Sequence, residues 1–301
     1  MADNDFSTLF DLLPIGAYRS SPDGQQIRAN PALVKLDGYE TEAELLAATK
    51  DLAQEWYVDP TRRDHFKALL NAHGKVLGLV SEVYRHKSRE RIWVRVHAHV
   101  VRNAQGEVLY YEGTVEDITE LRRAEEAIHQ LAFHDPLTGL PNRRLLMDRL
   151  QQSLLASARS QQMGVLLFLD LDKFKNLNDE WGHSAGDMLL EQVGKRLQTC
   201  IRAADTVARL GGDEFIVLLP DAGSNLSSAS VHARTVGQKI LEALRSPFEL
   251  DKHTHHTHCS IGAVVLADPA ERAETYLKQA DMAMYQAKAL GGDTLKIFKE
   301  D

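Results

Sequence analysis

The sequence predicts an α+β protein, two sheet-and-helix domains joined by a helix. Three observations carry this. Residues 1–116 punctuate short strand-like runs with turn signals and include two helical stretches, the pattern of an antiparallel sheet with flanking helices. Residues 117–133 contain neither Gly nor Pro and read as one linker helix. Residues 134–301 alternate helices and strands, which suits a second sheet surrounded by helices.

At 301 residues the chain is long enough for two ordinary domains, each with a sizeable core. A content of 44% hydrophobic and 26% charged residues is that of a soluble globular protein. The formal net charge of −8 argues against a general nucleic-acid binder, which shows a basic face. It does not exclude an anionic small substrate, because a bound metal inverts the local field. Cys200 and Cys259 are too few for a disulfide framework, so a reducing cytoplasm is expected. The opening "MADNDFSTLF" is acidic and lacks the layout of a signal peptide. Apolar runs such as "VLLFL" at 165–169 are too short to span a bilayer, so no membrane partner is expected.

In the first domain, "IGAYRSSPDGQQIRAN" reads as strand, Pro-Asp-Gly turn, strand, and "RIWVRVHAHVVRNAQGEVLYYEGTVEDIT" as two strands around Asn-Ala-Gln-Gly. Between them "TEAELLAAT" and "PTRRDHFKALLNAHG" are helical, the second ending on a C-cap glycine. In the linker, Leu121, Ala124, Ile128 and Leu131 recur at three- and four-residue spacings, an a/d seam of about two heptads. Such a helix either lies on its own domain or joins two chains in a short parallel coiled coil.

The second domain opens its sheet with "MGVLLFLDLDKFK". The apolar run from Val165 to Leu169 ends abruptly in Asp170 and Asp172, acids that either point into a cleft at the strand ends or cap the following helix. The strand-like runs 206–210 and 215–219 then flank Gly211, Gly212, Asp213 and Glu214, a hairpin turn. Glycines there permit positive φ and let a ligand approach the backbone. Alone, such a turn is a solvated hairpin tip. If the strand at 164–170 lies beside the hairpin, Asp170, Asp213 and Glu214 converge, and hard oxygen ligands gathered this way suit Mg²⁺ with substrate phosphates.

These residues resemble the diguanylate cyclase (GGDEF) family. "RLGGDEFIVLLP" at 209–220 is similar to its signature turn, "HDPLTGLPNRR" at 134–144 to its opening motif, and "LFLDLDKFKNLNDEWGHSAGD" at 167–187 to its first-strand and substrate motif. "CSIGAVV" at 259–265 and "ADMAMYQAKALGGD" at 280–293 resemble its closing strand and helix. Upstream, "IRANPALVKLDGYETEAELL" and "GTVEDITELRRAEE" resemble a PAS sensor domain and its exit. The resemblance implies a PAS domain over 1–116, a helical linker over 117–133, and a nucleotide-cyclase-like GGDEF domain over 134–301.

It also implies a chemistry. The family condenses two GTP into cyclic di-GMP with release of pyrophosphate, a phosphoryl transfer catalysed by positioning and charge neutralisation. Asp170, the backbone carbonyl of Leu171, Asp213 and Glu214 fall on its metal positions, for Mg²⁺ or Mn²⁺, and Asp213 or Glu214 assists deprotonation of the attacking hydroxyl. Gly211 and Gly212 let the nucleotide lie against the hairpin. Amides near Lys173 and Phe174 cradle phosphate at a strand-to-helix turn. Asn178 and Asp187 match guanine-binding positions, and a carboxylate suits guanine because it accepts from both N1–H and N2–H. His183 shares that loop, where it either contacts substrate or packs the loop, and Lys288 matches a phosphate-contacting lysine. Where many members carry Arg four residues later, this chain has Gly292.

Arg202 and Asp205 have the family's product-inhibition form, the alternative being a surface ion pair, and Arg234 is a second contributor. In "HTHHTHC" at 253–259, strand alternation puts His253 and His255 on one side, His256 and His258 on the other. Neither side gathers three histidines, so a polar strand end is expected rather than a zinc site.

The expectation is a cytoplasmic, PAS-regulated, product-inhibited diguanylate cyclase. It acts as a homodimer because each domain holds one GTP and the two must meet. A catalytically silent receptor for GTP or cyclic di-GMP is the alternative, and a class III-type mononucleotide cyclase is disfavoured by the full motif set. No phosphodiesterase domain is expected after residue 301. Residues 1–199 lack cysteine, which excludes a flavin–cysteinyl photoadduct, while haem, flavin, a small metabolite or no ligand stay open for the PAS domain.

Overall fold

The computed structural model describes residues 3–251 and 253–299, with side chains from Thr8 onward. The chain divides into two compact units, 1–126 and 127–301. The architecture is the expected α+β.

The first unit runs α1 (Asp3–Leu12), β1 (Gly16–Ser20), β2 (Gln26–Ala29), α2 (Pro31–Asp37), α3 (Glu42–Ala48), α4 (Leu52–Glu55), α5 (Arg62–His73), β3 (Lys75–Tyr84), β4 (Arg91–Arg102) and β5 (Val108–Asp117). Its sheet is antiparallel with the order β2-β1-β5-β4-β3. Asn30 ties helix to sheet, since its Oδ1 accepts from Leu33 N–H (2.9 Å) as the α2 cap and from Ala17 N–H (2.8 Å) in β1. Leu33, Trp56, Phe66, Leu70, Ile92, Tyr111 and Val115 form the core. Strand β3 was not read as a strand from the sequence. Its register shifts between Val76 and Leu79 at Gly78, whose φ is +71°, and this bulge breaks the alternation that marks a strand.

Helix α6 (Thr119–Phe133) follows, and the division between units falls within it. Thr119 Oγ1 accepts from Trp93 N–H (2.9 Å), and the Arg122 guanidinium stacks 3.9 Å over the Trp93 ring. At the other end, Asn142 donates to the carbonyls of Ala132 (3.0 Å) and Phe133 (2.9 Å). Leu121, Ile128 and Leu131 are 47%, 66% and 69% exposed.

The second unit contains α7 (Arg143–Ser160), β6 (Met163–Leu171), α8 (Phe174–Trp181), α9 (His183–Cys200), β7 (Thr206–Gly211), β8 (Glu214–Gly223), α10 (Leu226–Arg245), β9 (Phe248–Leu250), β10 (His253–His255), β11 (Cys259–Leu266), α11 (Ala273–Ala289) and β12 (Leu295–Ile297). The main sheet has the order β12-β11-β6-β8-β7, antiparallel except for the edge pair β11 and β12. Helices cover both faces. On one, Leu167, Leu169, Phe215 and Val217 pack with Val193 and Ile240 of α9 and α10. On the other, Leu166, Phe168, Ile216 and Leu218 pack with Leu146 and Leu150 of α7 and Met284 of α11. Strand β6 is therefore buried without alternation, which explains its unbroken apolar run. Each such leucine contributes about 1.5–3 kcal/mol by leaving water. No helix among the described residues is long and apolar enough to cross a membrane.

Candidate active site

Two strand ends and a turn assemble the acids. Asp170 stands next to the end of β6, and its register partner across the sheet is Glu214, the first residue of β8. Gly211 pairs with Glu214, so Gly212 and Asp213 form the hairpin tip. Gly211 and Gly212 have φ of +146° and +53°, and a Cβ on either would meet nothing within 4 Å. The glycines thus serve the backbone conformation and leave the space before the turn open.

The turn is held from behind. Arg209 donates from Nε (3.0 Å) and one terminal nitrogen (2.7 Å) to the carbonyl of Gly212. Its other terminal nitrogen donates to both oxygens of Asp135 (2.8 and 3.0 Å), and Thr138 donates to the same carboxylate. Burial alone would raise the Asp135 carboxyl, but the hydrogen bonds from Thr138 and Arg209 hold it below the usual carboxylate range. Neither Asp135 nor Arg209 was singled out by sequence reasoning, although both lie inside quoted motifs. The signal was a spacing of 74 residues that only folding closes.

At the acids, burial comes first and then the charge of Asp213 in raising the Asp170 carboxyl, against the opposing effect of Lys288. Glu214 is raised by burial and by the charges of Asp170, Asp281 and Asp213, against Arg143. Lys288 Nζ lies 2.5 Å from Asp170 Oδ1 as an ion pair. Lys288 therefore contacts an acid here. Asp281 and Arg143 are further charges around Glu214 that sequence reasoning missed. No ready-made group of three metal-ligating side chains exists among the described residues. Two carboxylates paired across adjacent strands, both held above the usual carboxylate range, nevertheless fit Mg²⁺, which takes one or two carboxylates and fills its shell with water and phosphate.

Around this centre, Leu171 closes β6, paired with Cys259. Lys173 has a φ of +62° at the N-terminus of α8, where no side chain caps the helix; Asn176 N–H donates to the Lys173 carbonyl (2.9 Å), which leaves Phe174 and Lys175 N–H without a capping side chain. The Asn178 amide packs onto α9, where a Cβ on Gly186 would lie 2.0 Å from Asn178 Oδ1; that oxygen is buried without a partner. His183 and Asp187 are exposed in the first turns of α9. Asp172 does not cap α8, and its charge adds to those that raise the Asp170 carboxyl. It accepts from Ser260 Oγ (2.7 Å) and from Asp293 N–H (2.9 Å), fixing the loop after α11.

Arg202 and Asp205 are joined through backbone, Arg202 N–H donating to Asp205 Oδ2 (2.9 Å), and no ion pair forms between them among the described residues. The Arg202 side chain is exposed. Arg234 is exposed on α10 with no hydrogen bond or ion pair to either among the described residues. Within "HTHHTHC" the strand covers His253–His255 and leaves out His256 and His258; His253 stacks on Trp181 (4.8 Å between centroids) and His255 meets its edge (5.4 Å).

Residues 132–294 match the family described as diguanylate cyclase, GGDEF domain. The chain belongs to that family. Residues 16–120 match the PAS domain family. The chain is 39% identical over 173 residues to the bifunctional diguanylate cyclase/cyclic di-GMP phosphodiesterase MucR of Pseudomonas aeruginosa, covering 58% of this chain and 24% of MucR. It is 33% identical over 203 residues to the diguanylate cyclase DgcP of Escherichia coli, covering 67% of this chain and 58% of DgcP. The match thus spans a quarter to somewhat over half of these relatives. Among solved structures, the coiled coil and GGDEF domain of DgcB from Caulobacter crescentus in complex with c-di-GMP superposes with a TM-score of 0.53 at 26% identity, covering 60% of this chain and 93% of that one.

Proposed function

We propose that this chain is a diguanylate cyclase condensing two GTP into cyclic di-GMP and two pyrophosphates, regulated by its PAS domain and inhibited by its product. The observation that carries the reading is the register pairing of Asp170 with Glu214 beside an open glycine turn. Asp170, the Leu171 carbonyl, Asp213 and Glu214 would hold Mg²⁺ or Mn²⁺, which when bound neutralises phosphate charge. Glu214, with its raised carboxyl, accepts the proton of the attacking 3′-hydroxyl, or Asp213 does so from the hairpin tip. Lys288 exchanges its pairing with Asp170 for phosphate, and the N–H groups at Lys173 and Phe174 cradle the remaining oxygens. Asn178 and Asp187 read the guanine edge, Gly211 and Gly212 admit the nucleotide, and His183 borders that loop.

A homodimer brings two such sites face to face, and the exposed α6 seam is the surface that would join them. The exposed Arg202 guanidinium, with Asp205 and Arg234, forms the product-inhibition site. Free, buried Cys200 and Cys259 fit the reducing cytoplasm. Incubating the full chain with GTP and Mg²⁺ and separating products by chromatography tests the reading. Cyclic di-GMP should form and Asp213→Asn should lose it; turnover by the variant at the parent rate overturns the assignment.

A further inference from the structure

Two arginines are buried among the described residues, and they differ in one respect. Arg209 has the carboxylate of Asp135. Arg63, on α5 in the first unit, is 4% exposed, and no carboxylate among the described residues pairs with it. Its acceptors are neutral. One terminal nitrogen makes long hydrogen bonds to Ser20 Oγ (3.4 Å) and the Ser21 carbonyl (3.5 Å), and the Tyr57 hydroxyl is a further partner. Nε is buried with no partner at all. The neighbouring Arg62 shows what the chain does when an arginine has only a structural task, since its Nε donates to Ser81 Oγ at 3.0 Å and a terminal nitrogen to the Val80 carbonyl.

A guanidinium stays protonated at every physiological pH, so burial cannot be relieved by releasing the proton. A buried charge without a counter-ion is strongly unfavourable, and the orphaned Nε adds an unmade hydrogen bond. Aromatic rings soften the penalty without removing it: Phe66 and Tyr111 lie 5.3 and 5.7 Å from the guanidinium carbon, and buried Tyr18 and Tyr57 also sense its charge. The group that satisfies such a guanidinium is a planar anion that accepts from Nε and a terminal nitrogen together.

We infer that the first unit binds a small organic carboxylate, its anionic end on Arg63 and its body against Phe66, Tyr111, Tyr18 and Tyr57. A carboxylate matches the fork of Nε and one terminal nitrogen by two parallel hydrogen bonds. The position also suits signalling. Ser20 and Tyr111 are register partners of β1 and β5, and β5 runs on to Asp117, whose Oδ1 accepts from Thr119 N–H (2.9 Å) at the start of α6. Seating an anion at Arg63 therefore acts on the strand that leads into the linker helix. The binding claim concerns the first unit alone; only its effect on turnover rests on the proposed cyclase reading.

Calorimetric titration of the full chain with acetate and benzoate, against benzamide and inorganic phosphate, tests it. Acetate or benzoate should bind at one site per chain, with benzamide and phosphate about tenfold weaker or more. Arg63→Met should weaken carboxylate binding by about tenfold or more while its urea midpoint without ligand is no lower than the parent's, because a buried charge has been removed. Arg63→Lys, which keeps charge and loses the fork, should fall between the two. The inference is overturned if neither carboxylate binds, if phosphate or benzamide binds as tightly, or if both variants bind carboxylate like the parent. Because the readout is binding, an inactive cyclase leaves it intact.

Discussion

Gly292 lies against the carboxylate of Asp172. A Cβ at residue 292 would stand 2.7 Å from Asp172 Oδ2 and 3.0 Å from its Cγ, and φ there is +78°. The same carboxylate accepts from Asp293 N–H, so the glycine is what lets Asp172 clamp the loop. The departure at Gly292 therefore has a packing role of its own in this loop.

Gly292→Ala should therefore cost about 1–3 kcal/mol, the range for a strained left-handed residue. Gly292→Arg should cost at least as much and leave the KM for GTP no lower than the parent's. Urea unfolding and steady-state kinetics measure both. A stable arginine variant with improved KM would show that the loop tolerates the cation.

Arg209 and Asp135 should couple. Removing one partner of a buried pair strands the other charge, so Asp135→Ala or Arg209→Met should each cost about 3–5 kcal/mol and loosen the turn that presents Asp213. The double variant should cost less than the sum. Because the folded Asp135 carboxyl is held below its unfolded value, its contribution is present above the unfolded pKa and fades as pH falls through the folded one. Asp135→Asn should accordingly flatten the acid side of the stability profile. Additive single variants with unchanged turnover would return the pair to a passive role.

Asp170 and Glu214 titrate with the opposite sign. Their folded pKa values are raised, so ionising them costs stability as pH climbs above the unfolded carboxylate value toward the folded one. With chelator at neutral pH, Asp170→Asn should melt at or above the parent temperature, although it is inactive. Mg²⁺ should raise the parent's Tm and leave the variant's unchanged. Calorimetry at several pH values reads both, and an equal Mg²⁺ response in the two proteins would remove Asp170 from the metal site.

Arg202 should answer to product alone. Its guanidinium is exposed while Asp205 holds the backbone, so Arg202→Ala leaves the loop bonded. The variant should keep its initial rate and accumulate more cyclic di-GMP at end point. Unchanged sensitivity to added product would empty the proposed inhibitory site.

The α6 seam should transmit a rotation. Two residues inserted between Ile128 and Leu131 turn the following chain by about 200° at 3.6 residues per turn, and seven nearly restore the facing. Activity should drop strongly with two and recover with seven. Equal activity in both would make the helix a tether.

What the sequence alone determined is the local part of this protein. An apolar run cut off at Asp170 marks a buried strand, Gly211 and Gly212 mark the turn, and Gly74 marks a helix end, because strand periodicity, positive φ and capping depend on a few neighbouring residues. Strand β3 escaped because a bulge at Gly78 spoils that short-range signal. The tertiary structure decided who faces whom. Asp170 meets Glu214 through register, Arg209 reaches Asp135 across 74 residues, Asp172 reaches Asp293 across 121, and Arg63 is enclosed without an acid. Such pairings follow from how layers pack and strands align. No periodicity along the chain records which charge a fold leaves paired and which it leaves waiting.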